Sequence, residues 1–276
     1  MAKYVRLTTV VICYLLFISL SDVNAQSFEV LNSRAKPGGL IIVKISSSQM
    51  SPEIGLFAFD NIYQPNRDGF VFVGVPLNVE PDSYLMYLVN RLSGERINQN
   101  QLEVEIVEAV IKIRPSRGRA TPSKRRIKEV SAITAAYQKA NHAELYAKES
   151  FQTPLSEIFI TSDFAINHGG VDLRAASGTK VSAINSGRVI MTAKKFSLEG
   201  NMVIIDHGSG IFSYYMHLSR VQVKDGQMVS KGQVVGLSGA TGDAKGPHLH
   251  LAVKVNGVNV DPLAFIDTMN SIFKNR

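Results

Sequence analysis

The stretch Gly246-Pro247-His248-Leu249-His250 places two histidines two positions apart. In an extended strand, side chains at i and i+2 stand on one face, roughly 6.7 Å apart. One histidine can therefore hold a metal ion while the other reaches what the ion holds, although a lone His-x-His is also found on solvated strand faces. Upstream, His168-Gly169-Gly170-Val171-Asp172 and Tyr215-Met216-His217 add two more histidines and a carboxylate. This C-terminal block is therefore the candidate functional region.

The first residues have the features of an export signal. Basic Lys3 and Arg6 precede an apolar run over about residues 7–20, and Val23-Asn24-Ala25 forms a small-residue cleavage site. The run is shorter than the ~20 residues that a membrane-spanning helix needs. We therefore expect a signal peptide at residues 1–25 and a periplasmic or extracellular protein, with an uncleaved membrane anchor as the alternative.

The cysteine count and the net charge limit the reaction types and the binding partners that the chain can have. Cys13, the single cysteine, lies inside the predicted signal, so we expect neither disulfides nor a cysteine nucleophile in the mature chain. The net charge is +7 and the isoelectric point is about 9.4. For an exported protein, this charge favours an anionic wall polymer or membrane surface as partner and argues against nucleic acid. The oligomeric state is left open.

Residues 26–113 consist of short apolar runs separated by turn residues. Runs rich in β-branched and aromatic residues alternate with turns such as Pro37-Gly38-Gly39, which predicts a β-sandwich-like domain. The runs are Leu40–Val43, Leu56–Phe59, Phe70–Val73, Tyr84–Val89 and Leu102–Ile106. No histidine occurs in this segment, so we expect it to be a spacer, a binding module or a cover for the second domain.

Residues 114–150 are predicted to be a basic linker followed by a helix. Basic residues without an intervening acid occur between positions 112 and 128, namely Lys112, Arg114, Arg117, Arg119, Lys124, Arg125, Arg126 and Lys128. They indicate either a solvated linker or a docking patch for an anionic wall or membrane polymer. Thr121-Pro122 has the pattern of a helix start, and apolar spacing predicts a helix to about Ala147 with His142 on its surface.

Residues 151–276 return to a β pattern and predict a compact, mostly antiparallel domain that ends at about Phe265 or Ile266, followed by a short tail. A catalytic zinc has three nitrogen or oxygen ligands and an open position, whereas structural zinc is usually closed by four cysteine-rich ligands. Without cysteine, any zinc in this domain should be catalytic. No His-Glu-x-x-His motif supplies a glutamate base. The histidines should therefore divide into metal ligands and proton carriers.

The order of the C-terminal motifs resembles that of the lysostaphin-type zinc metallopeptidases, which cut peptidoglycan cross-bridges. The resemblance covers about residues 158–266. It rests on His168-x-x-x-Asp172, Ile205-Asp206-His207-Gly208, Ser213 to Ser219, Gly239-Ala240-Thr241-Gly242, Gly246-Pro247-His248-Leu249-His250 and Asp261-Pro262. The β domain, linker and helix are also similar, less distinctively, to the N-terminal half of exported family members. The resemblance implies an antiparallel β metallopeptidase domain with an active-site groove for peptidoglycan.

The resemblance also implies roles for individual residues. His168, Asp172 and His250 would hold Zn²⁺, and His217 and His248 would line the groove as catalytic residues. Zinc would polarise the scissile carbonyl and activate water. His248 or His217 would accept the proton of that water, and their N–H groups would stabilise the oxyanion.

Some neighbouring residues receive separate predictions. Tyr215 is expected on the groove wall because alternation puts it on the strand face of His217, and His207 is left out of the site as structural. Phe164-Ala165-Ile166-Asn167 replaces the Phe-Gly and arginine-rich loop common in the family, and Asp243 replaces a frequent arginine. We therefore expect a shallower or more open groove and altered loop contacts.

Two other functions fit parts of the sequence. A non-catalytic wall-binding or amidase-activating protein would keep the groove but lose the ligands, and all five site positions are intact here. The glycine-punctuated segment Val223–Gly236 also resembles biotinyl or lipoyl carrier domains, which present a lysine for modification on a hairpin. Lys245 in Asp243-Ala244-Lys245 has the wrong residue order for the lipoyl type, and export argues against a carrier. No wall-targeting domain is recognisable after residue 266, so we expect remodelling of the producer's own wall.

Overall fold

The computed structural model describes residues 27–109 and 121–274. The predicted signal peptide at residues 1–25 lies outside these ranges. The same is true of four members of the basic stretch, which are Lys112, Arg114, Arg117 and Arg119. The predicted mainly β fold is confirmed, because the described residues form nineteen strands and two α-helices.

The first eight strands form two sheets around a shared apolar core. They are β1 (Phe28–Val30), β2 (Arg34–Ala35), β3 (Leu40–Ile45), β4 (Ile54–Ala58), β5 (Asn61–Tyr63), β6 (Phe70–Gly74), β7 (Asp82–Asn90) and β8 (Arg96–Ile106), with a 3₁₀ turn at Ser47–Gln49. One sheet has the order β1-β3-β6 and the other the order β2-β8-β7-β4-β5. Neighbouring strands are antiparallel except for the parallel pair β2–β8.

Strand β3 is buried on both faces. Ile41 and Val43 face the core between the two N-terminal sheets, whereas Leu40 and Ile42 join the core of the C-terminal half. Strand β6 alternates in the same way. Burial on both faces explains why residues 40–43 of β3 and residues 70–73 of β6 are uninterrupted apolar runs. The two halves therefore share a buried sheet, and the predicted domain boundaries near residues 113 and 150 remain predictions.

Helix α1 spans Lys124–Tyr137 and starts two positions later than the predicted Thr121-Pro122 start. The N-cap is Ser123, whose side chain accepts a hydrogen bond from the Arg126 N–H. A serine hydroxyl at this position satisfies one of the N–H groups that the first helical turn leaves unpaired.

The predicted continuation of this helix to about Ala147 is wrong. Asn141 redirects the chain, because its side-chain oxygen accepts the N–H of Ala143 while its own N–H donates to Asp206 Oδ2. Tyr146 then donates its N–H to the His207 carbonyl. The polar tether to the neighbouring strand replaces the last turns of the predicted helix.

The remaining strands build the C-terminal half. They are β9 (Ile160–Ser162), β10 (Val171–Arg174), β11 (Lys180–Ser182), β12 (Gly187–Phe196), β13 (Gly200–Gly208), β14 (Ile211–Leu218), β15 (Arg220–Val221), β16 (Met228–Val229), β17 (Val234–Leu237), β18 (His248–Val255) and β19 (Val258–Val260). The large sheet has the order β16-β12-β13-β14-β18-β10-β9, with β19 paired to β18, and β11-β17-β15 form a small sheet. These pairs are antiparallel, as predicted.

The two faces of the large sheet have different covers. On β18, Leu251 points into the main apolar core, which Phe72 of β6 also joins. Ala252 lies on the other face, in a cluster with Ala136 of α1. Because alternate residues of a strand share a face, His250 lies on the α1 side of the sheet. The apolar contact of the N-terminal sandwich with the large sheet is therefore on the side away from His250.

The predicted tail after Ile266 is wrong, because Pro262–Lys274 form helix α2. The Asp261 side chain accepts the N–H of Leu263 at the helix start, and Phe265 and Met269 are buried. Asp-Pro at the start and apolar residues at helical spacing are the sequence signals for this helix. Within residues 27–109 and 121–274, neither helix is long and apolar enough to span a membrane.

Candidate metal centre

Asp172 and His250 are neighbours on adjacent strands. Asp172 of β10 pairs directly with His250 of β18 in antiparallel register, so their side chains share one face of the sheet. His168 precedes β10 in a tight turn, in which the N–H groups of His168 and Gly169 donate to the Ala165 carbonyl. Strand register and this turn bring together the three predicted metal ligands.

The three side chains direct their ligand atoms toward one point. His168 Nε2 and His250 Nδ1 each lie 2.8 Å from Asp172 Oδ1. One ligand atom from each residue falls within 4.8 Å of the others. Two imidazole nitrogens and a carboxylate oxygen are a donor set of catalytic zinc sites, in which tetrahedral ligand atoms lie about 3.3 Å apart. The residues present therefore fit a divalent metal ion.

A backbone carbonyl orients His168, and a glycine leaves space for the ring of His250. His168 Nδ1 lies 3.0 Å from the Asp163 carbonyl. Because a carbonyl only accepts, Nδ1 carries the proton and Nε2 offers its lone pair to the site. On the other side, a Cβ at Gly170 would lie 2.7 Å from His250 Nε2 and 2.4 Å from the Leu251 carbonyl oxygen. The absence of a side chain at Gly170 therefore leaves room for the His250 ring.

Burial and hydrogen bonding act in opposite directions on the pKa of Asp172. Burial alone raises this pKa, but the hydrogen bonds and charges of His168 and His250 outweigh it and hold the pKa of Asp172 below its usual value. Burial lowers the pKa of His250, although the Asp172 carboxylate opposes that effect. An ionised carboxylate is the state of Asp172 that a metal site requires.

His217 reaches the same face through an uncommon backbone conformation. Tyr215 pairs with Leu251 and Met216 pairs with His250 across β14 and β18. Strict alternation would therefore turn His217 toward the core, with Tyr215. His217 has a φ of 61°, in the left-handed region, and this reverses the alternation at the end of β14. The ring centroids of His217 and His250 lie 5.9 Å apart.

The prediction that Tyr215 lies on the groove wall is wrong for the same reason. Tyr215 is fully buried in the main core, and its hydroxyl accepts the Ile184 N–H at 2.9 Å. The reversal at His217 separates two side chains that a regular strand would place together.

His217 and His248 lie side by side next to the predicted ligands. Their ring centroids are 4.8 Å apart, and His248 Nε2 lies 3.6 Å from Asp172 Oδ1. Nδ1 of His217 donates to the Thr241 carbonyl and Nδ1 of His248 to the Gly246 carbonyl, each at 2.8 Å. In the neutral rings, both Nε2 atoms are therefore unprotonated. Burial lowers the pKa of His217 to about 4, so this ring is neutral at pH 7.

The groups that orient these rings were not identified from the sequence. Asp163, Thr241 and Gly246 contribute only their backbone carbonyl oxygens. Any residue type supplies such an oxygen, so the side chains carry no signal for this role. The turn-forming glycines around residues 239–246 were the only local indication of a shaped loop.

His207 and His142 lie outside this group. The ring nitrogens of His207 lie 2.8 Å from the Ser186 carbonyl and from Ser213 Oγ. His207 and Ser213 are both fully buried, so their contact cannot act on a substrate. His142 is exposed and, with Lys254, lines a cavity of about 720 Å³ between the C-terminal half and the N-terminal sandwich. None of the five predicted site residues lines that cavity.

A comparison with protein families matches residues 166–262 to the model of peptidase family M23. Residues 166–262 are a peptidase family M23 domain. The matched range contains all five predicted site residues, which are His168, Asp172, His217, His248 and His250. Helix α1 lies outside the M23 domain in sequence but packs on its open sheet face.

Curated relatives share this domain and are much longer than the matched region. The chain is 44% identical over 96 residues to peptidoglycan DD-endopeptidase ShyA of Vibrio cholerae, an alignment that covers 35% of this chain and 22% of that protein. It is 38% identical over 104 residues to lysostaphin of Staphylococcus staphylolyticus, which covers 36% of this chain and 22% of that protein. The chain therefore spans only about a fifth of the length of these relatives.

A crystal structure from Pseudomonas aeruginosa assigned to peptidase M23 has the same overall arrangement. It aligns with a TM-score of 0.57 and 28% sequence identity, covering 84% of this chain and 94% of that chain. Because 84% of the chain exceeds the M23 domain, the likeness includes part of the N-terminal half.

Proposed function

We propose that this chain is an exported zinc metallo-endopeptidase that hydrolyses peptide cross-links of peptidoglycan. The observation that carries the proposal is the convergence of His168, Asp172 and His250 beside the rings of His217 and His248. Metal ligands and proton carriers thus lie on one sheet face.

The donor set favours zinc in a catalytic role. His168 Nε2, Asp172 Oδ1 and His250 Nδ1 would hold the ion, and three ligands without a thiolate leave a coordination position for water or substrate. When bound, zinc supplies Lewis-acid polarisation of the scissile carbonyl and makes water a better nucleophile at neutral pH.

His217 and His248 are proposed to handle the proton and the developing negative charge. In its neutral form each ring leaves Nε2 as an acceptor, while the hydrogen bonds to the Thr241 and Gly246 carbonyls hold the rings in place. A ring that accepts the proton of the attacking water gains an N–H donor. That donor can stabilise the oxyanion or return the proton to the leaving amine.

The substrate class is proposed from the names of the relatives. ShyA is named a peptidoglycan DD-endopeptidase, and its alignment with this chain, like that of lysostaphin, corresponds in length to the M23 domain. A peptidoglycan substrate requires export to the periplasm or cell exterior, which agrees with the signal peptide predicted at residues 1–25. The docking of anionic polymers on the basic stretch remains a prediction.

Digestion of purified wall sacculi tests the activity. The zinc-loaded chain should release soluble muropeptides whose masses identify the cleaved cross-link, and a chelator should abolish the release. Equal release with and without chelator would reject metal-dependent hydrolysis.

Single substitutions test the proposed roles. His250→Ala should lose zinc, whereas His248→Ala and His217→Ala should keep zinc and lose turnover. His142→Ala, which removes an exposed histidine outside the site, is the matched control and should keep both. Full zinc content in His250→Ala would refute its assignment as a ligand.

A non-catalytic wall-binding or amidase-activating protein is the competing function. The intact His168, Asp172 and His250 group favours the enzyme, since a binding protein has no need of an open metal position. Stoichiometric zinc with no release from sacculi, combined with stimulation of an added amidase, would favour the competitor.

A further inference from the structure

Helix α1 lies on the same sheet face as the candidate metal centre. Ala136 of α1 packs with Tyr214 and Ala252, and these two residues are cross-strand partners on β14 and β18. The next pair on this face is Met216 and His250. The helix therefore packs on the sheet face that carries the site, although it precedes the M23 domain in sequence.

A buried ion network ties the first turn of α1 to the turn that joins β12 and β13. The guanidinium of Arg126 makes two hydrogen bonds to the Glu199 carboxylate, at 2.6 and 2.8 Å. Glu129 accepts the Ser197 N–H at 2.8 Å and also contacts Arg126 at 3.5 Å. The side chains of Glu129 and Glu199 are each only 7% exposed, so the network is largely shielded from solvent.

The backbone of Glu199 continues this connection to His217. The Glu199 carbonyl accepts the His217 N–H at 2.9 Å. This bond anchors the residue whose left-handed backbone turns its ring toward the site. A second segment closes the frame, because Thr241 binds the ring through its carbonyl and donates its Oγ1–H to the Leu218 carbonyl. The orientation of His217 thus depends on the position of residue 199.

We propose that Arg126 is a positioning residue for His217, acting through Glu199. Without Arg126, the Glu199 carboxylate would stay buried beside Glu129 without its main cationic partner, an arrangement that is strongly unfavourable. The turn that carries Glu199 would move toward solvent to rehydrate the carboxylate, and the carbonyl would leave the His217 N–H. The effect on turnover rests on the proposed peptidase function, whereas the effect on the His217 amide does not.

The test compares the zinc-loaded full chain with Arg126→Ala, Arg126→Lys and Lys139→Ala. Lysine keeps the charge but cannot form the bidentate contact. Lys139→Ala is the control, since it removes an exposed positive charge just after α1. The measurements are kcat and KM on a soluble cross-linked muropeptide, zinc content, and hydrogen exchange of the His217 amide.

Arg126→Ala should lower kcat at least tenfold, leave KM within about twofold and keep zinc. Exchange of the His217 amide should become at least tenfold faster while the central amides of β13 stay protected, and Arg126→Lys should be intermediate. Lys139→Ala should match the wild type. If Arg126→Ala does not fold, Arg126→Gln, which keeps a polar side chain but removes the positive charge that pairs with the Glu199 carboxylate, should show the same selective exchange at His217.

Unchanged exchange at His217 together with unchanged kcat in Arg126→Ala would overturn the positioning role. Loss of zinc or loss of protection throughout β13 would overturn it as well, since the effect would then be general. If the wild type shows no turnover but the His217 amide still exchanges faster in Arg126→Ala, the peptidase proposal fails and the positioning role stands.

Discussion

His207 should make the free energy of unfolding depend on pH between neutral pH and pH 4. Its ring is fully buried, and burial lowers its pKa from 6.5 to about 4, although the Ser186 carbonyl opposes the effect. The folded state therefore favours the neutral ring. The free energy of unfolding therefore has its full value above the unfolded pKa of 6.5, and it decreases as the pH falls from 6.5 through about 4, because protonation favours the unfolded chain. A difference of about 2.5 pKa units corresponds to about 3 kcal/mol.

Urea denaturation of the metal-free chain at pH 7 and pH 4 measures this loss, with His207→Gln as the comparison. Glutamine keeps a hydrogen-bonding side chain in the pocket but cannot become charged. The difference in unfolding free energy between pH 7 and pH 4 should therefore be smaller in the variant by about 3 kcal/mol. Other titrating groups contribute equally to both proteins and cancel. An equal pH dependence in the two proteins would refute the argument that burial holds His207 neutral.

Three further changes test the metal centre and the C-terminal helix. Zinc at a hundredfold excess over its Kd should stabilise the wild type by about 2.7 kcal/mol in thermal melts. His168→Ala should abolish this zinc-dependent stabilisation, and an equal stabilisation of the variant would contradict the role of His168 as a ligand. Gly170→Ala places a Cβ 2.4 Å from the Leu251 carbonyl oxygen. It should lower the free energy of unfolding by about 1–3 kcal/mol in urea denaturation and reduce the zinc content in metal analysis. Wild-type values in both measurements would count against the steric argument. Phe265→Ala should cost about 3–5 kcal/mol in urea, because this ring of α2 is buried in the main apolar core. A loss below about 1 kcal/mol would show that the helix does not contribute to the core.

The fold class and the candidate site were predictable because they depend on side-chain type and strand period. Alternation over residues 248–250 correctly placed both histidines on one face, and register then brought Asp172 opposite His250. The His-x-x-x-Asp motif of His168 and Asp172 indicated the other two predicted metal ligands. Side-chain chemistry that is concentrated in short motifs can be recognised from the order of the residues alone.

Predictions failed where a backbone conformation or a distant contact decides the outcome. No side-chain pattern in the sequence predicts the positive φ of His217. The assumption of regular alternation therefore led to the wrong prediction that Tyr215 lies on the groove wall. The course of the chain after α1 is fixed by the contact of Asn141 with Asp206, which is far away in sequence. Helix α2 is a different case, because its Asp-Pro start and apolar spacing are local signals that favour a helix over the predicted tail.

The two-sided burial of β3 and β6 also bears on how the N-terminal half relates to the candidate site. One face of this sheet joins the core formed by Leu251 and its neighbours, on the side of the large sheet away from His250. In this arrangement the apolar core of the sandwich supports the sheet from behind, and α1 packs on the site's own face. Residues 61–64 of the sandwich also line a cavity with Lys254, farther along β18 on that face. A cover over the groove would need polar or irregular contacts that can open, whereas β3 and β6 offer continuous apolar surfaces whose exposure to water is unfavourable. The packing therefore favours a supporting role for the sandwich over that of a removable lid.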